Sequence, residues 1–286
     1  MDSTRRMTAN TETTNVPYLD FHDGKRIPQL GFGVFQVPLE ETKETVLHAL
    51  RTGYRSIDTA AAYGNEAGVA AAVEASGLGR NEVFITTKLW NDAHGHDAAR
   101  RAFERSLREL RTDYVDLYLI HWPAPSKNRY VETWEALTEF HAQGRARSIG
   151  VSNFLPEHLE RIVEVTGVVP VLNQIELHPL LQQAELREFH REHEILTEAW
   201  SPLGKGTVLD DARISEIAAA HGRTPAQVVL RWHVQLGNVV IPKSATPERI
   251  EENFRVFDFE LSDEEMRRLG ELDAGERTGP DPASFD

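Results

Sequence analysis

Two kinds of hydrophobic pattern alternate along the chain. Short apolar runs stand at 30–34, 56–59, 83–87, 115–120, 148–151, 171–175, 195–199 and 239–241. Most are continuous rather than alternating, as in buried parallel strands whose outer face is covered by helices. Between the runs, apolar residues recur with helical period. Phe103, Leu107 and Leu110 stand at i, i+4 and i+7, and Trp134, Leu137 and Phe140 or His141 follow a similar spacing. Gly53, Gly144 and Gly237 stand where left-handed glycines end helices. Thr224-Pro225 and Thr246-Pro247 read as an N-cap followed by a first-turn proline. Ser262 with Glu265 three residues on is a capping box for one further C-terminal helix. Before all of these, Asp23-Gly24 between short extended runs predicts a β-hairpin.

Eight strand–helix units in about 250 residues predict an α/β fold, a single (β/α)8 TIM barrel. A doubly wound open sheet is the alternative. The stretch between 195–199 and 239–241 holds two helical patterns, 212–221 and 225–236, so one is an insertion. With the C-terminal helix, the barrel carries two extra helices. Residues 17–286 form the expected barrel domain. Residues 1–16 are polar and aperiodic and read as a disordered tail. Arg5-Arg6 in this tail lacks the apolar stretch that an export signal requires.

Composition narrows the chemistry. The 286 residues include no cysteine, which excludes disulfides, thiolate metal sites and a cysteine nucleophile. The net charge of −14 has the wrong sign for a nucleic-acid or anionic-membrane partner. No apolar stretch is long enough to span a bilayer. The expectation is a cytoplasmic protein, by default a monomer, acting on a small molecule.

Barrel chemistry sits at the C-terminal strand ends. There the sequence places Asp58 with Tyr63 just beyond, Lys88-Leu89-Trp90, His121-Trp122, Ser152-Asn153, Gln174, Trp200-Ser201 and Lys243-Ser244. Each alone reads as a cap or a salt bridge; together, an acid, a phenol, an ammonium and an imidazole make a candidate general-acid centre. A free phenol, with a pKa near ~10, is a poor donor at neutral pH, and a neighbouring ammonium lowers that value. A carboxylate should in turn hold the ammonium, so Asp58 is expected to pair with Lys88. His121 can bond a substrate oxygen. Phe35, Trp90 and Trp122 are expected to wall the pocket, and the short tail from Gly275 to leave it open.

These segments resemble the signatures of the aldo-keto reductase superfamily. They are Gly53-Tyr54-Arg55-Ser56-Ile57-Asp58-Thr59-Ala60 with Tyr63-Gly64-Asn65-Glu66, Thr87-Lys88-Leu89-Trp90, His121-Trp122-Pro123, Gly150-Val151-Ser152-Asn153-Phe154 and Ile241-Pro242-Lys243-Ser244. The likeness runs from about Val16 to the C-terminus and is greatest to bacterial 2,5-diketo-gluconic acid reductase-like members. It implies an NADPH-dependent reductase of aldehydes, ketones, keto acids or keto sugars. Tyr63 would be the proton donor, and Asp58, Lys88 and His121 would complete the tetrad. It also assigns Ser152, Asn153 and Gln174 to the carboxamide of NADPH, and Trp200 to stacking on the nicotinamide. Ser201 and Leu203 fall to the pyrophosphate, Lys243, Ser244 and Arg249 to the 2′-phosphate, and Glu252 and Asn253 to the adenine.

From the residues alone, Lys243, Ser244 and Arg249 at a helix start read as a capped, solvated helix end rather than an anion site, and only the resemblance reverses that preference. Gly31-Phe32-Gly33 has only two glycines of a Rossmann loop and reads as close packing at the first strand. His94-x-His96 reads as a solvated loop rather than a metal pair, and His190 with His193 as a solvated helix face; Glu176 and His178 read as structural. Two other readings are a cofactor-binding regulatory barrel with little turnover, as in the potassium-channel β subunits that resemble this family, and a Schiff-base enzyme using Lys88. A lysine held charged by a carboxylate suits the latter poorly.

Overall fold

The computed structural model describes residues 16–286. The expected tail and Arg5-Arg6 lie outside these residues, apart from Val16, which packs against the core. A hairpin of β1 (Tyr18–Asp20) and β2 (Arg26–Pro28) opens the chain. Eight parallel strands follow: β3 (Phe32–Gly33), β4 (Ser56–Asp58), β5 (Phe84–Leu89), β6 (Val115–Ile120), β7 (Ala146–Ser152), β8 (Leu172–Glu176), β9 (Leu196–Trp200) and β10 (Val239–Val240). The sheet order is sequential, and its two edges meet. Leu30 bridges Val240, and the Gly31 amide donates to the Val240 carbonyl at 2.9 Å. Closure rules out the open sheet.

The two closing strands are shorter than the runs predicting them. Close packing explains the glycines there: a Cβ on Gly31 would meet the Ile241 side chain at 3.0 Å.

Ten α-helices occur among the described residues. Six connect successive strands: α1 (Leu39–Thr52), α2 (Glu66–Ser76), α3 (His96–Glu109), α4 (Tyr130–Ala142), α5 (Pro156–Thr166) and α6 (Ala184–Glu192). Both α7 (Ala212–His221) and α8 (Pro225–Gln235) lie between β9 and β10; α9 (Pro247–Phe254) and α10 (Asp263–Gly270) follow. Thr224 and Ser262 cap α8 and α10 with full capping boxes. Thr246 departs from the pattern: its hydroxyl makes no capping bond to α9.

Both strand faces are buried, hence the continuous apolar runs. Tyr118 and Ile120 of β6 pack outward under the helices, while Leu117 and Leu119 face the barrel interior. There they join Leu172 and Val239, and the hairpin's Phe21 and Ile27 seal this layer. The barrel is thus plugged at one end and polar at the other.

Candidate active site

Strand register gathers the polar floor. Asp58 ends β4, opposite Thr86. Lys88, two residues beyond Thr86, shares its inward parity and lies opposite Leu119. His121 directly follows β6. Gln174 on β8 lies opposite Glu198 on β9.

Lys88 is fully buried and spends all three ammonium hydrogens inside the chain. They go to Asp58 Oδ1 at 2.6 Å, the Thr59 carbonyl at 2.9 Å and the Tyr63 hydroxyl at 3.3 Å. Burial alone would lower its pKa, but Asp58, followed by Tyr63, outweighs burial and holds the lysine above its ordinary value. A lysine whose ammonium is paired with Asp58 and bonded to Thr59 and Tyr63 suits the Schiff-base reading poorly.

For Tyr63 the structure reverses the expected direction. Burial raises the phenol pKa, and the Lys88 charge offsets this only in part. The resting site therefore holds a neutral phenol, and Lys88 acts chiefly on the phenolate as a proton leaves. The His121 pKa is driven well below its usual range by burial and then by Lys88. Its ring is neutral at neutral pH, suited to hydrogen bonding rather than to storing a proton.

A cleft of about 1620 Å³ opens over this floor. That exceeds the roughly 300–1,000 Å³ of a drug-sized pocket and leaves room for an extended ligand plus a second small one. The sequence-predicted site residues line it, except Lys88, which lies below Asp58 and Tyr63.

Asn153, Ser152 and Gln174 present oxygens because their donors are used internally. Asn153 Nδ2 donates to the His121 carbonyl and to Ser152 Oγ, both at 3.0 Å. The Ser152 hydroxyl donates to the Gln174 carbonyl at 2.8 Å. Gln174 Nε2 donates to Asp58 and Glu198. A ligand NH2 group suits such a surface. Trp200 is fixed beside it by its indole N–H, which donates to Asn153 Oδ1 at 2.8 Å.

The far arm is open. Lys243 and Arg249 are exposed and form no ion pair among the described residues. Ser244 Oγ accepts from the Thr246 amide at 3.1 Å, and no side chain caps the first turn of α9. Uncapped amides beside two free cations favour the anion site over the capped helix end. Glu252 and Asn253 line the same arm, with Glu252 held by the Thr224 hydroxyl at 2.8 Å. Ser201 and Leu203 line the stretch of cleft wall after β9.

The substrate end is more enclosed than expected. Trp90 meets His121 edge-on at 5.1 Å between ring centres, and Phe35 leans on Tyr63 at 5.1 Å. The C-terminal tail crosses this end, where Phe285 packs on Trp122 at 4.6 Å. Glu176 anchors the tail by accepting from the Thr278 amide and hydroxyl, both at 2.6 Å. Lys205 ties the loop after β9 to the Thr278 carbonyl at 2.6 Å.

Sequence reasoning missed Glu198 and Phe285. A lone acid inside the apolar run 195–199, and a lone aromatic in a polar tail, were the available signals. Two histidine readings are also corrected. His94 is buried rather than solvated, and burial lowers its pKa to about 4. His190 is buried between Asn173 Nδ2 and Thr197 Oγ1, each at 2.9 Å. No cluster able to hold a metal occurs among the described residues.

The pattern of the Aldo/keto reductase family matches residues 29–274. An aldo-keto reductase of Mycolicibacterium smegmatis is 55% identical over 269 residues, covering 94% of this chain and 98% of the relative. The Escherichia coli (strain K12) protein named methylglyoxal reductase DkgA is 50% identical over 273 residues, covering 95% and 98%. Among solved structures, a Gox0644 mutant in complex with NADPH matches with a TM-score of 0.92 at 54% identity, covering 95% of this chain and 99% of that one. The chain belongs to the aldo/keto reductase family.

Proposed function

We propose that this protein is an NADPH-dependent oxidoreductase that reduces the carbonyl group of small aldehydes, ketones, keto acids or keto sugars. The observation that carries the reading is Lys88, which joins Asp58 to the Tyr63 hydroxyl at the floor of the cleft. The cleft would hold NADPH, whose nicotinamide would supply the hydride for the carbonyl carbon. Tyr63 gives its proton to the carbonyl oxygen, Lys88 stabilises the phenolate left behind, and water restores the proton. Neutral His121 orients the carbonyl. The oxygens of Ser152, Asn153 and Gln174 suit the carboxamide NH2, and Trp200 the nicotinamide ring. Ser201 and Leu203 would meet the pyrophosphate; Lys243, Ser244, Arg249 and the open start of α9 the 2′-phosphate; Glu252 and Asn253 the adenine.

The walls Phe35, Trp90, Trp122 and Phe285 favour a small substrate. The relatives named methylglyoxal reductase support that size, so methylglyoxal is the first compound to try. Residues 17–286 act as one unit. The tetrad is complete without a second chain, so a monomer is the working reading, and the absence of cysteine fits the cytoplasm. No described helix is long and apolar enough to cross a membrane.

Following NADPH absorbance with methylglyoxal and a panel of aldehydes tests the reading. Consumption that depends on the carbonyl supports it. A regulatory barrel would bind NADPH and leave every carbonyl untouched.

A further inference from the structure

Glu198 takes no part in the chemistry above, yet it is a second carboxyl in the same buried chamber, only 1% exposed. Gln174 spends its amide nitrogen on both acids, at 2.8 Å to Asp58 Oδ2 and 2.8 Å to Glu198 Oε2. The other Asp58 oxygen takes the Lys88 ammonium at 2.6 Å. One chain of hydrogen bonds therefore runs from Glu198 through Gln174, Asp58 and Lys88 to Tyr63.

Two carboxyls on this chain share one cation, and Asp58 has the direct contact. The titratable groups facing Glu198 are Asp58 from β4, Lys88 from β5 and Tyr63 from the turn after β4. Opposite Glu198 in register, β8 offers the neutral Gln174 and β10 the apolar Val239. His121, beyond β6, is neutral. No ion pair to Glu198 occurs among the described residues. At this depth of burial, a second charge without its own counter-ion is unfavourable, so one of the two acids keeps its proton. Burial, and then the Asp58 charge, push Glu198 well above the usual carboxyl range.

We propose that Glu198 is a positioning residue and the pH-sensitive element of the site. As the neutral acid it holds Gln174 and, through it, Asp58, leaving the Lys88 charge for the Tyr63 phenolate. Once ionised, it adds a negative charge to the chamber and weakens Tyr63 as an acid, so carbonyl reduction slows as the medium becomes alkaline. This rests on the reductase reading. The sign is fixed by the site itself: negative charge at Glu198 raises the phenol pKa, as Asp58 does.

The test compares wild type with Glu198→Gln and Glu198→Leu. Turnover at saturating NADPH and carbonyl is measured from about pH 6 to about pH 9, a span that brackets the titration of a raised carboxyl. Wild-type kcat should fall by about three- to tenfold more than that of Glu198→Gln across the alkaline limb, as expected for an acid weakened by about one unit. Glu198→Gln keeps the bond to Gln174 but cannot ionise, so its limb should move to higher pH. Glu198→Leu should lower kcat at every pH, because Gln174 and Asp58 lose their support.

A second readout needs no turnover. A carboxyl whose folded pKa lies above its unfolded value contributes stability in full below the unfolded value, and loses it as pH rises through the folded one. The Tm of unliganded wild type should therefore drop relative to Glu198→Gln as pH rises. Superimposable pH profiles with a constant Tm difference would overturn the role of Glu198. A wild type that consumes no NADPH with any carbonyl, while the Tm difference still moves with pH, would overturn the reductase reading instead.

Discussion

At the floor of the cleft, Lys88 is fully buried and each of its hydrogens has a partner within the chain. At the far arm, Lys243 and Arg249 stand in solvent with no ion pair among the described residues, and the first turn of α9 has no side-chain cap. The floor is organised before any ligand arrives. Its charges are fixed in place, so disturbing one group disturbs both fold and chemistry. The arm is left unsatisfied by the protein, as a surface for a charged ligand must be. Disturbing it should cost binding and little else.

The largest expected effect is at the floor. Lys88→Met leaves Asp58 as an unpaired buried charge. Stability should fall by about 3–5 kcal/mol and turnover at least about a hundredfold. Denaturant unfolding and NADPH-coupled assays check the two losses. A variant of normal stability would show that the floor is not held by this pair.

The arm should respond in the opposite way. If Arg249 meets the 2′-phosphate as proposed, Arg249→Ala should remove one charge-assisted contact of about 1.5–3 kcal/mol. NADPH should bind about ten- to a hundredfold more weakly, with NADH affinity and Tm nearly unchanged. Tryptophan fluorescence titrations at two salt concentrations measure both constants. Equal losses for the two cofactors would remove the 2′-phosphate from this arm.

The walls are expected to discriminate among substrates more weakly. Trp90→Ala should shift the ratio of KM values between small and bulky aldehydes by an amount equivalent to roughly 1–3 kcal/mol, with cofactor affinity unchanged. An unchanged substrate profile would move Trp90 from the pocket into the packing of the tail.

The smallest effect concerns the tail anchor. Burial works against an ionised Glu176, but bonds from His178, Thr278 and Gly279 outweigh it and bring its pKa down to about 2. The stabilisation is present above the ordinary carboxyl pKa and is lost as pH falls toward about 2. Acidification should therefore loosen residues 278–286 before the barrel melts, and Glu176→Gln should loosen them at neutral pH. Hydrogen exchange of the Thr278 and Gly279 amides reports this directly; unchanged protection in Glu176→Gln would refute the anchor.

The barrel was legible because strand ends, caps and glycines are local signals. The Ser262–Glu265 box and the Thr224-Pro225 pair are read from neighbours in sequence and fold as read. The pairing of Asp58, Lys88 and Tyr63 was legible because a buried ammonium must have partners. The direction of the Tyr63 shift was not: a sequence names the cation but not the depth of burial. His190 stands on a charged helix, and only the fold shows that its own face turns inward to Asn173 and Thr197. Glu198 was hidden by its apolar neighbours, and Phe285 reaches the pocket through the path of an aperiodic tail.

The most direct test of the separation between floor and arm is Tyr63→Phe, with NADPH affinity and turnover measured on the same preparation. The ring keeps its packing against Phe35 and His121, and only the oxygen next to Lys88 is lost. Turnover should drop by about 10²–10⁴-fold, with the NADPH dissociation constant unchanged. A variant that retains more than about a tenth of wild-type turnover would contradict the assignment of Tyr63 as proton donor.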